Sequence, residues 1–214
     1  MRLRLTIGAV GLAFLLAACG GTPTPQAEST EKVGTSTNIP SVDSPSTPGQ
    51  HSHPPSSIPT VKDPIDPTPW ETEPCAVLTN KQLNKLSIES TPEPGEGPTG
   101  PKCEWGDEFD DNISIDGSFS TKVESGIKDL YDNAELNTYA YFEQTEIGDH
   151  PAFFADITDA RMNGSCGINI ALKNDYIYGL GIRLHDDHPS YDEPCSVLKD
   201  VAEMAVDTMS GGGS

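Results

Sequence analysis

From Trp70 to Met209 apolar residues recur in short periodic groups, whereas from Gly20 to about Pro69 they almost vanish. After Pro74-Cys75 the chain predicts a short helical turn, then Thr79-Asn80-Lys81-Gln82 as a capping box opening a helix whose apolar side is Leu83 and Leu86. Residues 90–101, rich in Pro and Gly, read as a loop. Lys102–Gly106 and Asn112–Phe119, with Ile113 and Ile115 alternating, read as strands. Val123, Ile127 and Leu130 recur at helical spacing within Thr121–Asp132. Two strand pairs follow. Tyr139–Ile147 and Ala152–Ile157 flank the turn Gly148-Asp149-His150-Pro151, and Cys166–Lys173 and Tyr176–Leu184 flank Asn174-Asp175. Val197, Leu198, Val201, Ala202, Ala205, Val206 and Met209 then mark an amphipathic C-terminal helix. Consecutive strands with helices before and after them predict an α+β fold. In it an antiparallel sheet carries helices from both ends of the domain on one face.

A hexapeptide is used twice, Glu-Pro-Cys-Ala-Val-Leu at 73–78 and Glu-Pro-Cys-Ser-Val-Leu at 193–198. Proline suits a helix's first turn, where its missing N–H loses nothing, and the glutamate sets a carboxylate at the positive end. Each copy therefore reads as a helix start with cysteine in the first turn and Val and Leu aimed at the core.

The N-terminal pattern is of another kind. Arg2 and Arg4 precede an uncharged apolar stretch from Leu5 to Leu16, too short for a comfortable bilayer span of about 20 residues. Leu16-Ala17-Ala18-Cys19 resembles the lipobox of bacterial lipoproteins. That resemblance implies removal of residues 1–18, acylation of the Cys19 thiol and attachment to the membrane through the acyl chains. The segment 19–69 that follows holds eleven of the nineteen prolines and reads as a disordered Pro/Ser/Thr tether. A globular domain is expected over 70–209 and a flexible tail over 210–214. Without residues 1–18 the chain keeps 11 basic and 33 acidic residues, a net charge of −22. Such a charge argues against nucleic acid and against adhesion to anionic lipid surfaces.

With Cys19 assigned to lipid, Cys75, Cys103, Cys166 and Cys195 remain, an even number that in an exported chain reads as two disulfides. Three pairings are open. Joining neighbours in sequence gives Cys75–Cys103 and Cys166–Cys195, each tying a terminal helix to a strand.

The lipobox, the tether and then Pro74, Cys75, Val77, Leu78, Thr79, Leu83 and Leu86, with Cys103-x-Trp105 after a glycine-bearing loop, resemble an actinobacterial lipoprotein family. That family is catalogued as domain of unknown function 3558. Gly148, Pro151, Ala152, Cys166 and Pro194-Cys195 fit the same pattern. The resemblance implies a membrane-anchored, disulfide-bonded envelope protein on the extracytoplasmic face and carries no activity with it.

Candidate chemistry is sparse. Asn163-Gly164-Ser165-Cys166-Gly167 is faintly similar to the surroundings of a thiol-protease nucleophile, but Cys166 is expected in a disulfide. His185, Asp186, Asp187 and His188 are the densest run of metal-ligand types, and a solvated loop whose residues do not converge is the expectation there. Glu108, Asp110 and Asp111 lack calcium-loop spacing, and His51 and His53 lie on the tether. No phosphate-cradling loop, nucleophile elbow or dinucleotide fingerprint is present, and no cofactor is expected. One member of Tyr141/Phe142 or of Phe153/Phe154 is a candidate for an exposed contact surface, since neighbours in a strand face opposite ways. The expectation is a non-catalytic binding or scaffolding module meeting an envelope protein or small ligand. The alternative is a metal-dependent or hydrolytic enzyme with its site near His185–His188.

Overall fold

The computed structural model describes residues 57–107, 109–122 and 126–212. Cys19, the leader, His51, His53, Glu108 and Val123 lie outside the described residues. Helix α1 (Thr68–Thr72) and a 3₁₀ turn (Pro74–Val77) precede α2 (Asn80–Lys85). Strands β1 (Glu93–Glu96), β2 (Pro101–Trp105) and β3 (Ile113–Phe119) follow, then α3 (Ile127–Glu135). Next come β4 (Tyr141–Ile147), β5 (His150–Asp156), β6 (Ser165–Lys173), β7 (Tyr176–Leu184) and the long α4 (Pro194–Met209). All seven strands form one antiparallel sheet in the order β1-β2-β3-β7-β6-β5-β4. No helix among the described residues is long and apolar enough to cross a membrane.

The main core lies between one sheet face and the terminal helices. Trp105, Ile113, Ile115, Phe119, Ile168, Ile170, Tyr178, Leu180 and Ile182 meet Leu198, Val201, Ala202 and Ala205 of α4. Period-2 alternation decides which strand residues face inward, and Asp116 or Gly181 therefore turns to the other side. Gly117 sits on the core side, where a Cβ would lie 2.2 Å from the Tyr178 hydroxyl oxygen and 2.9 Å from the Trp105 ring. Only glycine allows those two rings to close over β3.

Both hexapeptides start helical turns from nearly the same backbone geometry, φ −128° at Glu73 and −129° at Glu193. The amides of Ala76 and Ser196 donate to the carbonyls of Glu73 and Glu193. The first copy stops after one 3₁₀ turn because Thr79 begins a new cap. Its side chain accepts from the Gln82 amide while the Gln82 side chain accepts from the Thr79 amide, the capping box expected from sequence. Gln82 does more than that. Buried against α4, it donates from Nε2 to Met204 O and Thr208 Oγ1, both at 3.0 Å, so one side chain caps α2 and ties it to α4.

Two disulfides are formed, Cys75–Cys103 and Cys166–Cys195. The first joins the 3₁₀ turn to β2, where the Trp105 indole also donates to Cys75 O at 3.3 Å, which gives the Cys-x-Trp spacing a physical reason. The second joins β6 to the first turn of α4.

Three features depart from the expectations. The loop expected over 90–101 contains β1, an edge strand whose Glu93, Pro94 and Glu96 discourage pairing with another chain. Helix α3 begins at Ile127 and lies on the sheet face opposite α4. There Ile127, Leu130, Tyr131 and Ala134 bury Phe142, Phe153, Ala171 and Ile177. Gly126 is required where α3 starts, because φ is +55° and a Cβ would meet Asp175 backbone at 2.5 Å. This second apolar layer overturns the expected aromatic contact surface. Tyr141, Phe142 and Phe153 are buried and Phe154 packs on the main core, so neither pair exposes a ring as a patch. Finally, packing reaches ahead of Trp70: Ile65 is buried, its amide donates to Leu172 O, and the Val61 amide donates to Asn174 Oδ1. One valine and one isoleucine among prolines are too sparse to register as an element in the sequence.

Candidate functional site: an open, glycine-floored sheet face

Helix α3 covers β4 and β5 and the ends of β6 and β7 at the Asn174-Asp175 turn, where Ala171 and Ile177 lie. The remainder is left as an open groove of about 680 Å³ across β2, β3, β7 and β6. Strand register builds its floor. One row across the sheet is Glu104, Asp116, Gly181 and Gly167, and the next is Lys102, Ser118, Gly179 and Asn169. Ser114, Arg183 and Ser165 form a third row. The glycines thin out the side-chain cover of β7 and β6: the Asp116 carboxylate stands over Gly181, where a Cβ would lie 2.5 Å from its Oδ1, while a ligand could approach the backbone at Gly179, where the nearest atom would be 3.6 Å away. The loop Gly97-Pro98-Thr99 makes one wall, and Tyr139 with Asp156 and Ile157 makes the other.

The electrostatics are mixed. Lys102 is hydrogen-bonded to Glu104. The Asp116 carboxyl opens to the solvent of the groove, yet the walls enclose it. That partial desolvation, with Glu104 and Asp156 adding negative charge, pushes its pKa above the ordinary carboxylate value against the pull of Lys102 and Arg183. Beneath the floor, the amide of Gly167 donates to the Tyr141 hydroxyl at 3.2 Å where β5 no longer pairs with β6. The Arg161 guanidinium lies 4.2 Å over the Tyr141 ring and is held there by Glu143 and Asp159. Concave and built from four strands with polar and apolar groups in its lining, the groove has the form of a pocket that a ligand could enter.

Of the residues singled out from sequence, Cys166 is bonded to Cys195 and holds no free thiol, which removes it as a nucleophile. The His185–His188 run differs from expectation. Its residues close a turn, with the His188 amide donating to His185 O, and so His185, Asp186 and Asp187 bring one ligand atom each within 4.8 Å of one another. His185 Nδ1 lies 2.8 Å from Asp187 and 3.2 Å from Asp186. His188 is not part of that convergence, since its Nδ1 accepts from the Ser190 amide. Asp111 is spent structurally. Its carboxylate accepts from the Glu89 and Asp107 amides and from Ser90 Oγ, which draws its pKa down despite some burial. The groove residues were missed, although Ser114-x-Asp116-x-Ser118 and Gly179-x-Gly181 do show a polar or empty alternate face within apolar strands.

Fold and groove together define a disulfide-braced α+β domain with one sheet face packed by helices and the other partly open. Residues 14–208 match the family described as Protein of unknown function (DUF3558), and the chain belongs to that family. No curated protein and no solved structure matches it.

Proposed function

We propose that this protein is a lipid-anchored module of the extracytoplasmic membrane face that binds a partner or small ligand in the sheet groove and performs no chemistry on it. The observation that carries the binding reading is the glycine floor. Gly167 and Gly181 face each other across β6 and β7, Gly179 lies one row on beside Asn169, and charged and amide groups surround all three, so little side chain covers the backbone of the groove floor. Two disulfides favour an oxidising compartment. Lys/Arg-poor composition, the Pro/Ser/Thr stretch and Cys19 after an apolar leader support anchoring through acyl chains on that cysteine.

Two experiments test this reading. Cys19→Ala should move the protein out of the membrane fraction, and continued retention would refute the anchor. For the groove, Gly179→Phe is the sharper probe, because a Cβ there meets no atom closer than 3.6 Å and the side chain can fill the site without disturbing the strand. Crosslinked or co-purifying ligand from native envelope should be lost with Gly179→Phe and retained by wild type; equal recovery from both would sink the groove reading. Convergence of His185, Asp186 and Asp187 favours one second reading, a metal-dependent site. Stoichiometric metal in the purified protein, lost together with an activity in His185→Ala, would establish it.

A further inference from the structure

A second pocket, of about 750 Å³, lies away from the groove, between the C-terminal turn of α4, the Gly148-Asp149 hairpin turn and the segment around Ile65. Asp63, Asp66, Asp149, Glu203 and Asp207 line it, and none of the described residues lining it is a lysine or arginine. Asp66 is partly engaged, 3.8 Å from the Lys173 ammonium. The negative end of the α4 dipole points the same way. Acidic side chains alone would be an ordinary solvated rim.

His150 makes the difference. It also lines the pocket, yet is only 5% exposed. β5 stops pairing with β6 at Ala152, and beyond that point the carbonyl of Ala171 takes its hydrogen bond from His150 Nδ1 at 3.1 Å. A carbonyl can only accept, so the neutral ring carries its proton on Nδ1 and its lone pair on Nε2. That bond explains why an imidazole is buried there and leaves Nε2, on the far edge of the ring, without a partner among the described residues. A backbone carbonyl holding one nitrogen while the other stays open is how proteins orient an imidazole toward a ligand.

An acceptor at the open edge of a largely buried ring, among carboxylates, calls for a positive group bearing N–H bonds. An anion is repelled, and a neutral hydroxyl would satisfy Nε2 but leave the carboxylates unanswered. A single metal ion needs ligand atoms converged on one point, and among the described residues that convergence occurs at His185, Asp186 and Asp187 instead. We propose that this pocket binds a primary ammonium group, which donates one N–H to His150 Nε2 and offers the others to carboxylates of the rim. The group could be carried by a free diamine or by a lysine side chain of a protein partner.

The test uses the full, disulfide-intact chain and three probes: 1,5-diaminopentane, a short N-acetylated peptide with one lysine, and the permethylated diamine, which keeps its charge but has no N–H. Titration by calorimetry should show saturable binding of at least one primary amine, with the permethylated analogue about tenfold weaker or more. Tighter peptide binding assigns the site to a protein partner, and tighter diamine binding assigns it to a free amine. His150→Asn keeps a donor for Ala171 O but has no atom at Nε2, and it should weaken primary amines about tenfold while leaving the permethylated analogue nearly unchanged. In wild type, the His150 Nε2 resonance should shift as the amine binds, a readout that holds even where the variant fails to fold. Glu203→Gln, on the exposed side of α4, should weaken every probe. Equal binding of the permethylated analogue, an Nε2 resonance unmoved by saturating amine, or saturable zinc binding at His150 without amine binding would each overturn the proposal.

Discussion

Replacing Cys166 and Cys195 together by alanine removes one bridge without creating a free thiol. The two residues are 29 apart, and releasing a closed loop of that length restores roughly 3–4 kcal/mol of chain entropy to the unfolded state. Cys166 is also 4% exposed, so the lost sulfur contacts add about 1 kcal/mol. With a urea slope of about 2 kcal/mol per molar, a loss of about 4 kcal/mol moves the unfolding midpoint down by about 2 M. The Cys75/Cys103 pair, 28 apart, carries an almost identical loop term. Matching double variants should therefore fall by nearly the same amount, and any difference between them measures packing. Removing both bridges costs about 8 kcal/mol, within the range of total stability for a domain, so the four-alanine chain should be largely unfolded at 37 °C. Circular dichroism through urea titration, with oxidised wild type as reference, reads all of this. A midpoint shift below about 0.5 M for either pair would refute the claim that these bridges hold the fold.

Gln82→Leu removes half of the capping box and both bonds to α4, and should cost about 2–3 kcal/mol in the same titration; a loss under 0.5 kcal/mol would show that α2 and α4 are not coupled through it. Gly117→Ala forces a methyl to within 2.2 Å of the Tyr178 hydroxyl oxygen, so it should destabilise by about 2 kcal/mol or more, and Tyr178→Phe, which also removes a buried hydroxyl without a partner, should recover part of that loss. Asp116→Asn should stabilise the protein at neutral pH. The folded-state carboxyl titrates above its ordinary 3.8, so wild type loses stability as pH rises through that window, and the two proteins should converge below it. Thermal melts at pH 3 and 7 check the sign, and a variant less stable than wild type at pH 7 would contradict it.

Most of the secondary structure could be read locally because it rests on local chemistry. Proline placement and the Thr79/Gln82 pair start helices wherever they occur, and period-2 runs such as Ile113-x-Ile115 must put alternate side chains on one face. Of the three cysteine pairings that the sequence leaves open, the fold forms the one between neighbours in the chain. The open surfaces could not be read that way. The groove exists because β3, β7 and β6 pair in a register that sets Asp116 beside Gly181 and Gly167, residues 51–65 positions apart in the chain. Its opening depends on α3 covering only half of that face. The aromatic pairs Tyr141/Phe142 and Phe153/Phe154 looked exposed on one side because a strand's pattern does not say whether a second layer will cover it. His150 looked like a turn residue until the end of β5–β6 pairing left Ala171 O needing a donor. Helix starts and strand faces were decided by short-range sterics and hydrogen bonding, which the sequence alone carries. The open faces and the orientation of the groups on them depend on which distant strands become neighbours, and only the folded chain decides that.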